Sequence, residues 1–176
     1  MVRLFALRHA PVDAAGICYG QVDVPTLLTP DEVARYAVAV LEDFVPGTVW
    51  SSDAARCRLP GLEVSSRFGI DCHVDHRVRE MSYGQWEGKP WDDLDREAVD
   101  YWMEDWMQRS PPGGETLRDM EARIGQWWED LAPGDHLLLA HAGVIHVLNV
   151  LSGAQTWDET MSNRLDYLAV ARFERP

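Results

Sequence analysis

Short apolar runs alternate along the chain with longer segments in which apolar residues recur at helical spacing. The runs of strand length are Val2–Leu7, Thr48–Trp50, Cys72–Val74, His136–Ala140 and Leu168–Phe173. Segments between several of these runs repeat their apolar positions about every 3.6 residues, which predicts amphipathic helices. Strands that alternate with helices are typical of α/β proteins. The pattern therefore predicts an α/β sandwich around a mainly parallel sheet.

Capping residues indicate where two of these helices begin. Thr29 is followed three residues later by Glu32, which is the pattern of a capping box. Thr116 precedes another apolar stripe, with Asp119 in the first turn. Both threonines are therefore expected to accept a hydrogen bond from the first turn of a helix.

Two further helical stretches carry irregular features. One runs from about Asp53 to Phe68, and Pro60 within it is expected to kink or interrupt the helix. The other, Trp91–Trp106, holds seven Asp and Glu residues against Arg96 alone. Its apolar residues recur every four positions and predict one amphipathic helix; they are Leu94, Ala98, Trp102 and Trp106. This helix is either a solvated acidic face with a core-facing stripe or a lid that lines a pocket with tryptophans.

Composition and charge exclude several classes of protein. The chain has 176 residues, of which 46% are hydrophobic and 26% charged, as in globular rather than disordered proteins. A net charge of -13 repels nucleic acids and anionic membranes, and also argues against phosphorylated ligands. The three cysteines, Cys18, Cys57 and Cys72, form neither a disulfide framework nor a zinc motif. We therefore expect a cytoplasmic protein, with neither nucleic acid nor membrane as partner.

Candidate catalytic residues follow the ends of predicted strands. Arg8 and His9 come directly after the first strand, and His141 directly follows another. Ligands of open α/β sheets bind at the carboxyl ends of the strands, so both histidines are expected in one crevice. Arg56 lies shortly after the second strand and provides a planar donor group that matches phosphate oxygens. Taken singly, each histidine is more simply interpreted as a hydrogen-bonded surface group, and each arginine as the partner of a carboxylate.

Five blocks of sequence carry a family resemblance. They are Leu7-Arg8-His9-Ala10, Ser51–Arg56, Arg79–Gly88, Pro112–Thr116 and His141-Ala142-Gly143. In this order they resemble the R-H-G, S-S-x-x-x-R, R-E-x-x-x-G-x-W-E-G, P-G-G-E-[ST] and H-G-G blocks of the histidine phosphatase superfamily, also called the phosphoglycerate mutase-like family. The resemblance implies a three-layer α/β/α sandwich of the phosphoglycerate mutase-like type. It also implies one histidine phosphatase domain over residues 1–176, with a helical, lid-like insertion at about 89–112.

The resemblance implies a metal-independent phosphatase that uses no cofactor. His9 would attack phosphorus and form a phosphohistidine. Arg8, Arg56 and His141 would bind the phosphoryl oxygens, and His141 would also stabilise the transition state. Glu80 would act as the general acid and base. His9 must be unprotonated at the attacking nitrogen, so its other nitrogen needs a backbone carbonyl as partner.

A local similarity suggests the substrate. The stretch Gly16–Pro25 resembles the C-Y-G-x-x-D-x-P region of α-ribazole phosphatases, which implies α-ribazole 5'-phosphate, an intermediate of cobalamin synthesis, as the small phosphorylated metabolite. The substrate pocket is expected to include Tyr19, Gln21, Trp86 and Glu115. Val12 stands where the family usually has Ser or Thr, so one hydroxyl contact to phosphate is expected to be missing.

Other interpretations remain open. One is a phosphoglycerate mutase-like phosphotransfer enzyme, and another is a phosphate-binding module without turnover on the same fold. A homodimer is also left open. His73 and His76 suggest a metal ligand pair, but no matching partner motif accompanies them, so no metal site is expected.

Overall fold

A computed structural model describes residues 1–176, and its five strands form one sheet. The strands are β1 (Val2–Arg8), β2 (Thr48–Ser51), β3 (Cys72–Val74), β4 (Gly134–Ala140) and β5 (Val170–Arg175). Their order across the sheet is β3-β2-β4-β1-β5. All neighbours are parallel except β5, which runs antiparallel to β1. The prediction of a mainly parallel sheet is therefore confirmed.

Six α-helices accompany this sheet, and four of them cover its two faces. They are α1 (Pro30–Leu41), α2 (Ala55–Phe68), α3 (Arg96–Glu104), α4 (Leu117–Asp130), α5 (Ala142–Leu151) and α6 (Trp157–Ser162). One buried cluster joins α4 and α5 to the face that carries Leu4 and Leu138. A second cluster joins α1 and α2 to the opposite face, which carries Leu7 and Leu139. Two apolar layers on opposite faces produce the predicted three-layer α/β/α sandwich.

Capping boxes start α1 and α4, as expected from the sequence. The hydroxyl of Thr29 accepts from the backbone N–H of Glu32, whose side chain accepts from the backbone of Thr29 in return. Thr116 and Asp119 make the same reciprocal pair. Each box satisfies two backbone donors that have no partner within the helix.

The expected interruption at Pro60 is wrong, because α2 runs without a break from Ala55 to Phe68. Pro60 is buried, and its missing amide proton removes only one hydrogen bond of the helix. The next residue, Gly61, brings α2 close to the sheet, since a Cβ there would lie 3.1 Å from the sulfur of Cys72. Burial against the sheet therefore outweighs the cost of proline, which is ~3 kcal/mol in an exposed helix.

The four-residue spacing predicted one helix over Trp91–Trp106, and this prediction is wrong. The segment consists of a single 3-10 turn at Trp91–Asp93 and then α3, which ends at Glu104. Asp95 accepts a hydrogen bond from the N–H of Glu97 at 3.0 Å and so starts the helix afresh. Most carboxylates of the segment are exposed while Trp102 and Trp106 pack against the core, as expected of a solvated acidic face with a core-facing stripe. The alternative, a lid over a pocket, stays a prediction. No helix of the protein combines the length and apolar character needed to cross a membrane.

Candidate active site

His9 lies just beyond the end of β1, where its side chain is only 2% exposed. Its backbone N–H donates to the carbonyl of Ala140 on β4, which fixes the two strand ends side by side. The ring Nδ1 lies 2.8 Å from the carbonyl oxygen of Ala10. A carbonyl oxygen can only accept, so Nδ1 carries the proton and Nε2 presents a lone pair. The carbonyl partner that the sequence required is therefore Ala10.

The surroundings of His9 keep its imidazole neutral. The pKa of His9 is lowered to about 3, mainly by burial and in part by the charges of Arg56 and Arg8, against the opposing effect of the hydrogen bond to Ala10. A neutral imidazole with a free nitrogen is a nucleophile at physiological pH.

His141 faces His9 across the site. It occupies the N-cap position of α5, is fully buried, and places its ring centre 5.4 Å from that of His9. Its Nε2 lies 2.8 Å from the hydroxyl of Ser52, which follows β2. Burial lowers the pKa of His141 well below its usual value, and the positive charge of Arg56 adds to this. The structure thus brings together two neutral histidines, as predicted from the strand ends.

Arg8 and Arg56 both approach the histidines. Arg56 donates to the backbone carbonyls of Val22 and Gly20, and Arg8 donates to that of Leu165. In each arginine the Nε–H is buried and has no partner. A buried donor without a partner costs about 1–3 kcal/mol, and an anionic oxygen is the strongest acceptor that would satisfy it. Each arginine therefore has one buried donor that no group of the protein accepts.

Two tyrosines flank the ring of His9. The ring centres of Tyr167 and Tyr19 lie 5.6 Å and 6.4 Å from that of His9, and their hydroxyl oxygens are 3.4 Å apart. The guanidinium of Arg8 lies 3.9 Å from the centre of the Tyr167 ring. Burial raises the pKa of Tyr19 to about 12, so its hydroxyl stays neutral. Tyr167 was not predicted from the sequence, because no motif marks it.

A tight turn places Tyr167. The N–H of Ala169 donates to the carbonyl of Asp166, and Leu168 between them has a φ of 61°. This left-handed conformation is strained for a branched residue and is concentrated at functional sites. The sequence predicted that the last strand begins at Leu168. Because Leu168 lies in this turn, β5 begins instead at Val170.

Glu80 lies against the N-terminus of α5. Its Oε1 accepts from the N–H of Met81 at 2.9 Å, and its Oε2 accepts from the N–H of Gly143 at 3.2 Å. The carboxylate thereby meets the positively polarised end of the helix. A Cβ at Gly143 would lie only 2.2 Å from Oε1, so this approach requires glycine. Glu80 is not paired with Arg79, which binds Asp53 instead.

The prediction that Glu115 belongs to the substrate pocket is wrong, since Glu115 lines neither cavity beside Glu80. Glu115 accepts from the N–H of Ser82 at 2.9 Å and from two nitrogens of Arg123. Arg123 also donates to the backbone carbonyls of Arg77, Arg79 and Glu80. Glu115 therefore anchors the loop that carries Glu80. A motif shows which residues recur but not whether they face a cavity or a loop.

Trp86 also lines neither cavity, contrary to expectation. It is buried and packs edge-on against Trp91 and Trp102, with ring centres 6.4 Å and 5.7 Å away. Gln21 donates to the backbone carbonyl of Glu80 at 3.0 Å and so supports this loop from the other side. Of the four expected pocket residues, Tyr19 alone lines a cavity beside Glu80.

Two cavities border Glu80. The larger, of about 270 Å³, is formed mainly by apolar side chains of α3, α4, α5 and α6. The smaller, of about 180 Å³, lies beside Tyr19, Tyr83 and Trp91. The larger cavity contains residues that the sequence did not reveal, among them His146, Trp157 and Met161. The remaining candidate, the pair His73 and His76, lies outside the site. Nδ1 of His76 is 3.4 Å from a carboxylate oxygen of Asp53, and the ring of His73 is tilted against that of Trp50, with ring centres 5.1 Å apart.

Comparison with known proteins identifies the family. The model of the histidine phosphatase superfamily (branch 1) matches residues 4–175, which is nearly the whole chain. The chain belongs to the histidine phosphatase superfamily. This histidine phosphatase is a phosphoric monoester hydrolase, the class of its relatives that are named as phosphatases.

Relatives of the histidine phosphatase differ in the substrates given by their names. Glucosyl-3-phosphoglycerate phosphatase of Mycobacterium tuberculosis is 29% identical, over 84% of this chain and 73% of its own. Adenosylcobalamin/alpha-ribazole phosphatase of Salmonella typhimurium is 27% identical, over 84% of this chain and 77% of its own. The structure of alpha-ribazole phosphatase from Shigella flexneri shares the fold, with a TM-score of 0.81 and 23% identity over 97% of this chain and 89% of its own.

Proposed function

We propose that this phosphatase hydrolyses a small phosphomonoester through a phosphohistidine formed at Nε2 of His9. The observation that carries the proposal is the hydrogen bond from Nδ1 to the carbonyl of Ala10, which leaves Nε2 with its lone pair in a neutral ring. His141, Arg8 and Arg56 surround the same ring, and Glu80 lies nearby at the start of α5.

The reaction then takes two steps. In the first, Nε2 of His9 bonds to phosphorus while the bond from phosphorus to the ester oxygen breaks, and protonated Glu80 gives its proton to that oxygen. In the second, the carboxylate of Glu80 takes a proton from water, whose oxygen attacks phosphorus and displaces His9. Inorganic phosphate leaves, and both residues return to their starting states.

Charge on the transferring group is balanced by the side chains around it. The free Nε–H donors of Arg8 and Arg56 are assigned to the phosphoryl oxygens, together with His141. Because the site provides these donors in fixed positions, little reorganisation is needed as charge shifts during transfer.

For the substrate we propose α-ribazole 5'-phosphate. Support comes from the similarity of Gly16–Pro25 to α-ribazole phosphatases and from the Salmonella relative. Within that stretch, Tyr19 flanks His9 and lines the smaller cavity, while Gln21 supports the loop of Glu80.

The proposed reaction is tested with p-nitrophenyl phosphate in the presence of EDTA. We expect turnover to survive EDTA and to fall at least ~10³-fold in His9→Ala, since the nucleophile is then lost. His73→Ala, a histidine outside the site, is the matched control and should keep full activity. Mass spectrometry of enzyme denatured at alkaline pH during turnover should show one added phosphoryl group that is absent from His9→Ala, because the P–N bond of phosphohistidine hydrolyses in acid but survives in alkali.

Each contrary result has a definite meaning. Turnover that EDTA abolishes would revive a metal site, and no turnover of any phosphomonoester would favour the binding module. Faster mutase than hydrolase activity with 3-phosphoglycerate would support the phosphotransfer alternative. Hydrolysis of sugar phosphates without hydrolysis of α-ribazole 5'-phosphate would overturn the substrate while leaving the mechanism intact.

A further inference from the structure

The larger cavity beside Glu80 has a wall of unusual composition. Ten of its thirteen lining residues are hydrophobic. Most of the large ones come from α3, α6 and the segment after α3; they are Trp102, Met103, Trp106, Trp157 and Met161. The rings of Trp106 and Trp157 meet edge to face with centres 5.9 Å apart, which joins the α3 segment to α6. Flat aromatic groups pack well against such a surface of indole and thioether groups.

No lysine or arginine lines this cavity, and Glu80 is its one acidic residue. A carboxylate or second phosphate placed there would lose its hydration without gaining a cationic partner. Burying an unpaired charge in this way costs several kcal/mol, and the charge of Glu80 after proton transfer would add repulsion. The cavity wall is therefore matched to a group without negative charge.

His146 is the other titratable residue of the cavity, and it is held neutral. Its Nδ1 lies 2.7 Å from the hydroxyl oxygen of Thr160, which also accepts from the side-chain amide of Asn149 at 3.3 Å. Nδ1 is the only acceptor within reach of the Thr160 hydroxyl, so its proton goes to Nδ1, which leaves the proton of His146 on Nε2. Burial lowers the pKa of His146. The cavity thus has one neutral N–H donor rather than a cation.

We propose that this cavity binds the leaving group of the ester, and that it selects an uncharged, flat, apolar group over one that carries a carboxylate or a second phosphate. The selection follows from the absence of cations among the residues that surround it. This inference rests on the proposed reaction, because it places the leaving oxygen at Glu80. It separates the substrate of this phosphatase from the phosphoglycerate class named for one of its relatives.

Three esters of primary alcohols test the proposal, since their leaving oxygens have similar chemistry. They are 2-phenylethyl phosphate, glycerol 3-phosphate and 3-phosphoglycerate, whose leaving groups are apolar, polar and anionic. We expect kcat/KM for hydrolysis to fall in that order. A wild-type enzyme that prefers 3-phosphoglycerate would overturn the proposal while leaving the phosphohistidine reaction in place.

A charge placed in the cavity wall gives a sharper test. Met161→Arg adds a cation at a lining residue that is 52% exposed, so folding should tolerate it. We expect the ratio of kcat/KM for 3-phosphoglycerate to that for 2-phenylethyl phosphate to rise on the order of tenfold. Leu62→Arg adds the same charge at a residue of α2 that is 45% exposed and lies outside the cavity. This control should leave the ratio unchanged, because its effect is limited to the long-range field.

Equal shifts in the two arginine variants, or no shift in Met161→Arg, would overturn the proposal. Should no ester be turned over, the proposed reaction fails, and the cavity is then tested by binding alone. Calorimetric titration of the wild-type protein should show tighter binding of 2-phenylethyl phosphate than of 3-phosphoglycerate. The opposite order would overturn the inference about the cavity.

Discussion

Gly143 determines how closely the carboxylate of Glu80 approaches α5. Its N–H donates to Glu80, and the space that a side chain would fill is occupied by Oε1. The third position of the His141-Ala142-Gly143 block is therefore explained by a contact between two blocks that lie far apart in the sequence. A sequence pattern places glycine at the start of a helix but does not reveal which carboxylate comes to rest on it.

Replacing Gly143 should separate activity from stability. In Gly143→Ala the new Cβ would fall 2.2 Å from Oε1 of Glu80, and the flexible end of that side chain must move away. A displacement of about 1 Å at a reacting group costs on the order of 10²-fold in rate, so kcat should fall by about that factor. Steady-state kinetics with p-nitrophenyl phosphate measure the effect on kcat, and thermal denaturation measures the effect on stability.

Gly125→Ala in α4 is the matched control. Its new Cβ would meet only Leu151 at 3.7 Å, an ordinary contact, and alanine favours a helix by about 0.5–1 kcal/mol over glycine. This variant should be slightly more stable than wild type and equally active. If Gly143→Ala kept full kcat, the observed position of Glu80 would not matter for the reaction.

At the scale of elements, the loop of Glu80 and the Pro112–Thr116 block are in direct backbone contact. The N–H of Gln85 donates to the carbonyl of Pro112, and the N–H of Glu115 donates to that of Ser82. A Cβ at Gly84 or Gly114 would lie about 2.4–2.5 Å from backbone atoms of the opposite loop. The Pro112–Thr116 block thus holds the loop of Glu80 in place.

This crossing predicts that Gly114→Ala destabilises the protein. The Cβ would lie 2.5 Å from the carbonyl oxygen of Ser82, and neither backbone can move without breaking a hydrogen bond. The free energy of unfolding should fall by at least ~2 kcal/mol. Urea denaturation provides the measurement.

Gly69→Ala is the control. At this position φ is +66° and no atom lies within 4 Å of the new Cβ, so the variant should lose only about 1–2 kcal/mol from backbone strain. Equal losses in the two variants would show that the loops adjust.

Elements whose cause is local were predictable from the sequence. The strands follow from apolar runs, and the starts of α1 and α4 follow from capping boxes between residues three apart. Features that depend on tertiary packing were not predictable in this way. Tertiary packing keeps α2 continuous through Pro60, and it turns Glu115 towards Arg123 instead of towards the cavity. The catalytic candidates were found because strand ends and motifs marked them, whereas Tyr167 reaches His9 through a turn that has no sequence pattern.

For the whole molecule, the charge of -13 no longer argues against phosphate. None of the carboxylates of Trp91–Trp106 lines either cavity beside Glu80, and the segment contributes tryptophans and a methionine there instead. After burial, the charges of Arg56 and Arg8 lower the pKa of His9 and His141, which places positive potential at the candidate site itself. Salt screens the distant acidic groups beyond ~8–10 Å but leaves this local cluster effective.

The buried neutral histidines make stability depend on pH. The pKa of His9 is about 3 in the folded protein and about 6.5 when unfolded, so the unfolded chain binds more protons between these values. Stability is therefore complete above pH ~6.5 and decreases as the pH falls towards ~3. His9 contributes up to ~1.4 kcal/mol per pH unit to this slope, and buried His141 adds a loss of the same sign.

Urea denaturation between pH 7 and 4 measures this dependence in wild type and in His9→Asn. Asparagine keeps an N–H donor but does not titrate, so the variant should lose less stability over the same range. The difference between the two curves isolates His9 from carboxylates such as Asp53, whose pKa is lowered by Arg79. Parallel curves would mean that the pKa of His9 is the same in the folded and the unfolded protein, so that burial does not keep the imidazole neutral below pH ~6.5.

The position of β1 in the sheet also determines when the candidate active site can form during translation. β1 is made first, yet both of its neighbours, β4 and β5, come from residues 134–140 and 170–175. At translation rates of about 5–20 residues per second, Arg8 and His9 wait roughly 6–25 s for the first of these strands. During that time Leu4 and Leu7 have no core to enter, so the nascent chain exposes an apolar strand that chaperones can bind. A ribosome-bound fragment lacking residues 134–176 therefore contains His9 but lacks His141 and both strands that flank β1.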